Sequence, residues 1–146
     1  MVLETVVAHL EKVGNGAVYF IFGLIFLFLG RLVWEGITKY KTNQEIFEKD
    51  NTAAGIAEFG FLIALAIIIS ASVKGDAVKG TPIYLDLIVS FIDAVFGLIA
   101  LGVAKLVLDI LTPFKLDNEI SVDKNPAVGW LQAGFYIAIA IILFGV

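Results

Sequence analysis

Four stretches of this chain are apolar over the length a helix needs to cross a bilayer, and no other feature constrains its fold as strongly. They run from Ala17 to Ile37, Thr52 to Val73, Ile83 to Leu111 and Ala127 to Val146. A membrane-spanning helix takes about 20 largely apolar residues. The chain holds ten basic and fourteen acidic residues, and only seven of these lie inside the four stretches: Arg31, Glu35, Glu58, Asp86, Asp93, Lys105 and Asp109. A soluble helical bundle would carry charge along one face of every helix, yet Phe59–Val73 has none on any face. The expected fold is therefore an all-α integral membrane four-helix bundle.

The termini and connections complete that plan. Val2, Leu3, Val6, Val7, Leu10 and Val13 recur at helical spacing, with Glu4, Glu11 and Lys12 mostly opposite. Gly14-Asn15-Gly16 predicts a stop, because glycine and asparagine tolerate left-handed geometry. Residues 1–16 thus read as a short amphipathic helix lying in the membrane interface. The acids in this segment, in place of a basic leader, predict no cleaved signal. Of the basic residues, Lys39, Lys41, Lys49, Lys115 and Lys124 sit in the loops 38–51 and 112–125, with Arg31 and Lys105 close by. Only Lys12, Lys74 and Lys79 fall on the other side. The positive-inside rule then puts both loops in the cytoplasm and both termini outside.

A shift of 74 residues aligns 17–72 with 91–146 without a gap, at 21 identities in 56 pairs. Phe22-Gly23-Leu24-Ile25 meets Phe96-Gly97-Leu98-Ile99, Arg31 meets Lys105, Glu35 meets Asp109, Asn51 meets Asn125, and Gly60-Phe61 meets Gly134-Phe135. The chain divides into repeat 1 (17–73), an outer loop (74–82) and repeat 2 (83–146). Each repeat crosses twice and returns to its starting side. The repeats are therefore expected in parallel orientation, about a pseudo-two-fold along the membrane normal, unlike the inverted repeats of many transporters.

Asp50-Asn51-Thr52-Ala53-Ala54 followed by Gly60, and again Lys124-Asn125-Pro126-Ala127-Val128 followed by Gly134, resemble the signature of the bacterial "domain of unknown function 350" membrane family. The resemblance extends over nearly the whole chain and implies duplicated two-helix units with four transmembrane spans, located in the bacterial inner membrane. It implies no activity.

The repeat register predicts depth. Arg31 and Lys105 lie seven residues before Thr38 and Thr112; Glu58 and Gln132 lie seven residues after Asn51 and Asn125. Seven residues rise roughly 10 Å along a helix, so these four side chains are expected in one layer in the cytoplasmic third of the bilayer. Glu35 and Asp109 lie one turn nearer the loops, on the faces of Arg31 and Lys105. One reading is structural, with Arg31–Glu35 and Lys105–Asp109 as self-neutralising pairs that glue helices together. The other is a polar cavity open to the cytoplasm, since intramembrane ionisable groups mark pathways. Glu58, whose repeat mate is the neutral Gln132, and Asp93, with no basic residue in helical reach, are the sharpest candidates for it.

Asn51 and Asn125 fit helix N-caps, with Pro126 at the first helical position. The alternative, an anion site at two parallel helix N-termini, is opposed by Glu45, Glu48, Asp50, Glu119 and Asp123. Gly60-x3-Ala64, Gly134-x3-Ala138 and Gly129-x3-Ala133 predict close helix packing, with Gly23 and Gly97 as isolated equivalents. Phe20, Phe22, Phe26 and Phe28 are expected to face lipid or a neighbouring subunit.

The chain has no cysteine and a single histidine. That removes thiolate metal sites and the usual histidine chemistry, and no phosphate loop or nucleophile motif appears. No metal, cofactor or enzymatic role is expected, and a net charge of −4 argues against nucleic acid as a partner. The leading expectation is a homo-oligomeric channel or carrier for an ion or small solute. The alternative is a membrane scaffold or envelope-stress partner whose cytoplasmic loops recruit a soluble protein.

Overall fold

A computed structural model describes residues 2–74 and 82–144. The described residues form helices joined by short turns, with no strand among them. Helix α1 is Val2–Ile37, α2 Thr52–Lys74, α3 Ile83–Leu111, α4 Leu116–Ser121 and α5 Pro126–Phe144; a single π-helical turn occupies Gln44–Glu48. Helices α1, α2, α3 and α5 are each long and apolar enough to cross a membrane. Residues 75–81 of the expected outer loop, with Lys79, and the last two residues of the fourth span lie outside the described residues.

The expected separation of residues 1–16 from the first span is corrected: α1 runs unbroken through Gly14, Asn15 and Gly16. A glycine inside a helix costs only about 1 kcal/mol, and breaking the backbone ladder beside a span would strand polar groups near lipid. The 36 residues of α1 extend roughly 54 Å at 1.5 Å per residue. The hydrocarbon core is about 30 Å thick. The amphipathic end is thus the first turns of the crossing helix rather than a separate one.

Helices α2 and α5, parallel in direction, make the central and most extensive helix contact, and α1 and α3 pack against them. Their approach is set by small residues. A Cβ built on Gly60 would overlap the Cα of Ala133, and one built on Gly129 would sit 2.6 Å from the Ala53 carbonyl oxygen. On α5 the contact face is therefore Gly129–Ala133. Gly134 has open space around it and Ala138 is exposed, so the expected Gly134–Ala138 contact is corrected. Gly134 follows Ala133 by one residue, a rotation of about 100° about the axis, which turns it away from α2. Ala64 is fully buried, as is Gly60.

The interior is apolar from Ala64, Leu65 and Ile68 across to Ala94, Leu101 and Ala140, while Phe20, Phe28, Ile92, Ile99 and Ile142 point outward. One of the four expected outward phenylalanines is corrected: Phe26 is buried, packed on Phe22 at 4.7 Å and edge-on to Phe91 at 5.5 Å between ring centroids. Ser90 on α3 donates its hydroxyl to the Ser72 carbonyl on α2 at 3.0 Å, tying the two helices together at the end away from the 38–51 and 112–125 segments.

Candidate functional site

Polar chemistry concentrates where the helices meet the 38–51 and 112–125 segments. Thr38 and Thr112 turn their hydroxyls back to the carbonyls of Trp34 and Leu108, at 3.0 and 2.9 Å, closing α1 and α3. Asp50 and Lys124, each just before a cap, adopt φ of 50°. Asn51 and Asn125 then accept the amide hydrogens of Ala54 and Ala127 at 3.2 and 3.1 Å, the expected capping geometry. Asn51 does more. Its Nδ2 donates to Glu45 at 2.9 Å and across to the Ile120 carbonyl at 2.7 Å, while Lys124 Nζ donates to the Lys49 carbonyl at 2.7 Å. The two connecting segments are thereby clasped over the bundle, and Leu116 and Ile120 of α4 plug its end.

Beneath the clasp lies a buried polar centre. Lys105, 1% exposed, donates to both oxygens of Asp109 at 2.8 and 2.9 Å and lies 3.2 Å from Asp117 Oδ1. Arg31 Nε donates to Glu58 at 2.6 Å and its Nη2 to the Asn43 side chain. Gln132, wholly buried, donates to the Tyr136 hydroxyl at 2.9 Å. Trp34, Phe61 and Tyr136 stack against one another with centroids 5.0–5.8 Å apart and floor the centre. Burial, reinforced by the charge of Asp117, raises the Tyr40 phenol far above its ordinary range, so its hydroxyl stays protonated.

Among the described residues, five buried polar atoms have no hydrogen-bond partner: Trp34 Nε1, Tyr40 OH, Thr42 Oγ1, Gln132 Oε1 and Asp117 Oδ1, the last within ion-pair distance of Lys105. Buried polar atoms left in this way are few in folded proteins and call for a reason. A crevice of about 380 Å³, lined by Lys39, Asp109, Thr112, Phe114, Lys115 and Asp117 among others, leads from the loop end to two of the Lys105 partners. A second groove of about 550 Å³, bordered by Ile56, Phe59 and Trp130, lies on the outer face. Asp50, Asn51 and Thr52 border its loop end, and the rest of its lining is apolar.

Lys105 pairs with Asp109 as the spacing predicts. The expected Arg31–Glu35 pair is corrected. Arg31 reaches across to α2 for Glu58, and Glu35 accepts the amide hydrogens of Thr42 and Asn43, both at 3.3 Å. Those amides follow the end of α1 and lack helical partners, so the carboxylate satisfies them. Gly60 against Ala133 sets Glu58 and Gln132 at one height. Asp93 stands apart: it precedes Lys105 by 12 residues, roughly 18 Å along α3, and is half-buried. Sequence reasoning missed Asp117, Tyr40 and Tyr136. Asp117 carried a signal, because it aligns with Asn43 at the 74-residue offset and follows Leu116, whose partner at i+4 is the buried Ile120.

Residues 7–146 match the family described as Domain of Unknown Function (DUF350). No curated protein and no solved structure matches the chain.

Proposed function

The chain belongs to the DUF350 family, and from that premise we propose that it carries an ion or small solute across the bacterial inner membrane. The observation that supports this most is Lys105, sealed from the surroundings at membrane depth yet paired with Asp109 and Asp117, which line a crevice open at the loop end. A buried charge is costly, and in membrane proteins such groups mark pathways. The reading makes the centre half a path, reached by water from the loops. Past it, Ile68, Ala94, Leu101 and Ala140 close the bundle. Passage then requires either rearrangement of one protomer or a route between copies, which favours a homo-oligomer. In this reading both loops face the cytoplasm and both termini the outside, which the lysine and arginine bias of the loops supports. The role is non-enzymatic and draws on no catalytic metal, cofactor or nucleic acid.

Reconstitution in liposomes tests this. Wild type is expected to pass at least one species from a panel of cations, anions and small neutral solutes. Asp117→Asn and Glu58→Gln are expected to lower that flux, and Asp93→Asn to leave it unchanged. Vesicles that stay tight to the whole panel overturn the proposal.

A second reading, recruitment of a soluble protein, is favoured by Phe47 and Val122, 74% and 72% exposed at the loop end. Under it, Phe47→Ser abolishes capture of a cytosolic partner while the polar centre can be neutralised without effect.

A further inference from the structure

We propose that the crevice at the loop end binds the headgroup of an anionic phospholipid, its phosphate held between Lys39 and Lys115. The inference rests on the membrane-spanning fold and stands whether or not the chain transports a solute.

The crevice, about 380 Å³ in volume, brings the two lysines to one place: Lys39 lies just past α1 and Lys115 just past α3, and both line it. Neither side chain has an ion pair or a hydrogen bond among the described residues. The acids that share the lining, Asp109 and Asp117, are already engaged by Lys105. Its Nζ lies 2.8 and 2.9 Å from the Asp109 oxygens and 3.2 Å from Asp117. Three ammonium groups therefore face two carboxylates, which leaves an excess of positive charge. That excess lies at the outer end, because Lys39 and Lys115 are exposed while Asp117 is buried. An anion is the ligand such a mouth selects.

The surroundings select a lipid over a free anion. Ile110 and Leu111, which end α3, are exposed, and so is Phe114 on the crevice lining. The crevice thus opens beside the outward apolar face of a helix long enough to cross the membrane. Acyl chains lying along that face put the headgroup of the same molecule level with the two lysines. Basic pockets between transmembrane helices hold phosphate headgroups in this way. The volume is at the small end of ligand sites, which suits a headgroup whose tails stay outside. The other repeat does not copy the arrangement. Pro113 stands where the 74-residue offset matches Lys39, and Tyr40, the mate of Phe114, is buried. One site per chain is therefore expected.

Counting bound lipid tests this. The full chain in neutral detergent micelles is titrated with phosphatidylglycerol, and native mass spectrometry reads the lipids retained. One molecule per chain is expected to bind saturably, and more tightly than the zwitterionic phosphatidylcholine or phosphatidylethanolamine. Lys39→Gln together with Lys115→Gln is expected to weaken the apparent affinity about tenfold or more, at about fivefold per lysine. Both side chains are exposed and unpaired, so the double variant keeps its fold. Lys12→Gln together with Lys41→Gln changes the net charge equally at residues outside the crevice lining, and is expected to leave binding unchanged. Equal weakening in the two double variants makes the attraction one of net charge and overturns the site. Equal retention of the zwitterionic lipids overturns it too. Displacement of the lipid by millimolar inorganic phosphate, but not by sodium chloride at the same ionic strength, assigns the crevice to a free anion and overturns the lipid.

Discussion

Arg31 and Lys105 stand 74 residues apart in matched sequence surroundings, yet they meet their acids in opposite ways. The Arg31 side chain is 40% exposed and reaches Glu58 on the next helix and Asn43 on the loop. That of Lys105 is 2% exposed and faces Asp109 on its own helix and Asp117 on the loop helix. The carboxylates and amides have traded places: Glu58 aligns with Gln132, and Asn43 with Asp117. An ion pair that keeps one foot in the surroundings loses less hydration, and this one joins two helices. A lysine shut inside with two carboxylates is a poor structural device. The more deeply buried of the two basic groups thus lies in the second half of the chain, and the partly exposed one in the first.

The sharpest way to break this comparison is to remove each basic group in turn. Lys105→Met leaves Asp109 and Asp117 without their counter-charge and is expected to cost about 3–5 kcal/mol. Arg31→Met, at a partly exposed pair, is expected to cost about 1 kcal/mol or less. Denaturant unfolding in mixed micelles, followed by far-ultraviolet circular dichroism, measures both; equal losses would erase the asymmetry. Next in size, Gly60→Val drives a side chain into the Ala133 backbone and is expected to cost about 1–3 kcal/mol or more. Its sequence mate Gly134→Val meets open space and is expected to stay within about 0.5 kcal/mol. Stability of the two variants in the same assay decides it.

A smaller effect sharpens the exchange of carboxylate and amide. Asn43→Asp with Glu58→Gln gives the first half the charge arrangement of the second. The double variant is expected to lose less than the two single variants together, by about 0.5–1 kcal/mol. Strict additivity would mean that Arg31 does not choose between the two positions. The smallest effect lies in the loops. Burial pushes the Glu45 carboxyl up, but hydrogen bonds from Lys49 and Asn51 and the nearby lysine charges outweigh it, leaving it below its ordinary 4.5. A depressed value means the folded state favours the carboxylate. Its contribution is complete above pH 4.5 and fades as pH falls through the lower folded value. Glu45→Gln is expected to flatten that limb of the stability profile, read from unfolding midpoints at a series of pH values.

Much of the fold was legible because lipid imposes simple demands. A crossing segment must be long, apolar and helical, so the four spans stand out, and Asn51, Asn125 and Pro126 mark starts that capping chemistry makes readable. What stayed hidden has one physical origin. In a helix apolar on every side, hydrophobicity does not say which face turns inward. Nothing in the pattern favoured Gly129 and Ala133 over Gly134 and Ala138, or set Phe26 apart from Phe28. Partner choice was hidden for a related reason: Glu35 and Glu58 are both acids within range of Arg31, and only the stranded amides of Thr42 and Asn43 settle which is free. Asp117 escaped because an acid in a charged loop looks solvated until α4 folds it inward. The unbroken α1 shows the limit of Gly-Asn-Gly as a stop signal when both flanks favour helix.

The central claim is that water reaches the polar centre from the loop end. The chain has no native cysteine, so a single introduced thiol reports directly. In liposomes, Gln132→Cys is expected to react with a small methanethiosulfonate reagent supplied at the loop side, while Ala64→Cys, equally buried among apolar neighbours, stays unmodified. A thiol at 132 as inert as the one at 64 would contradict the account.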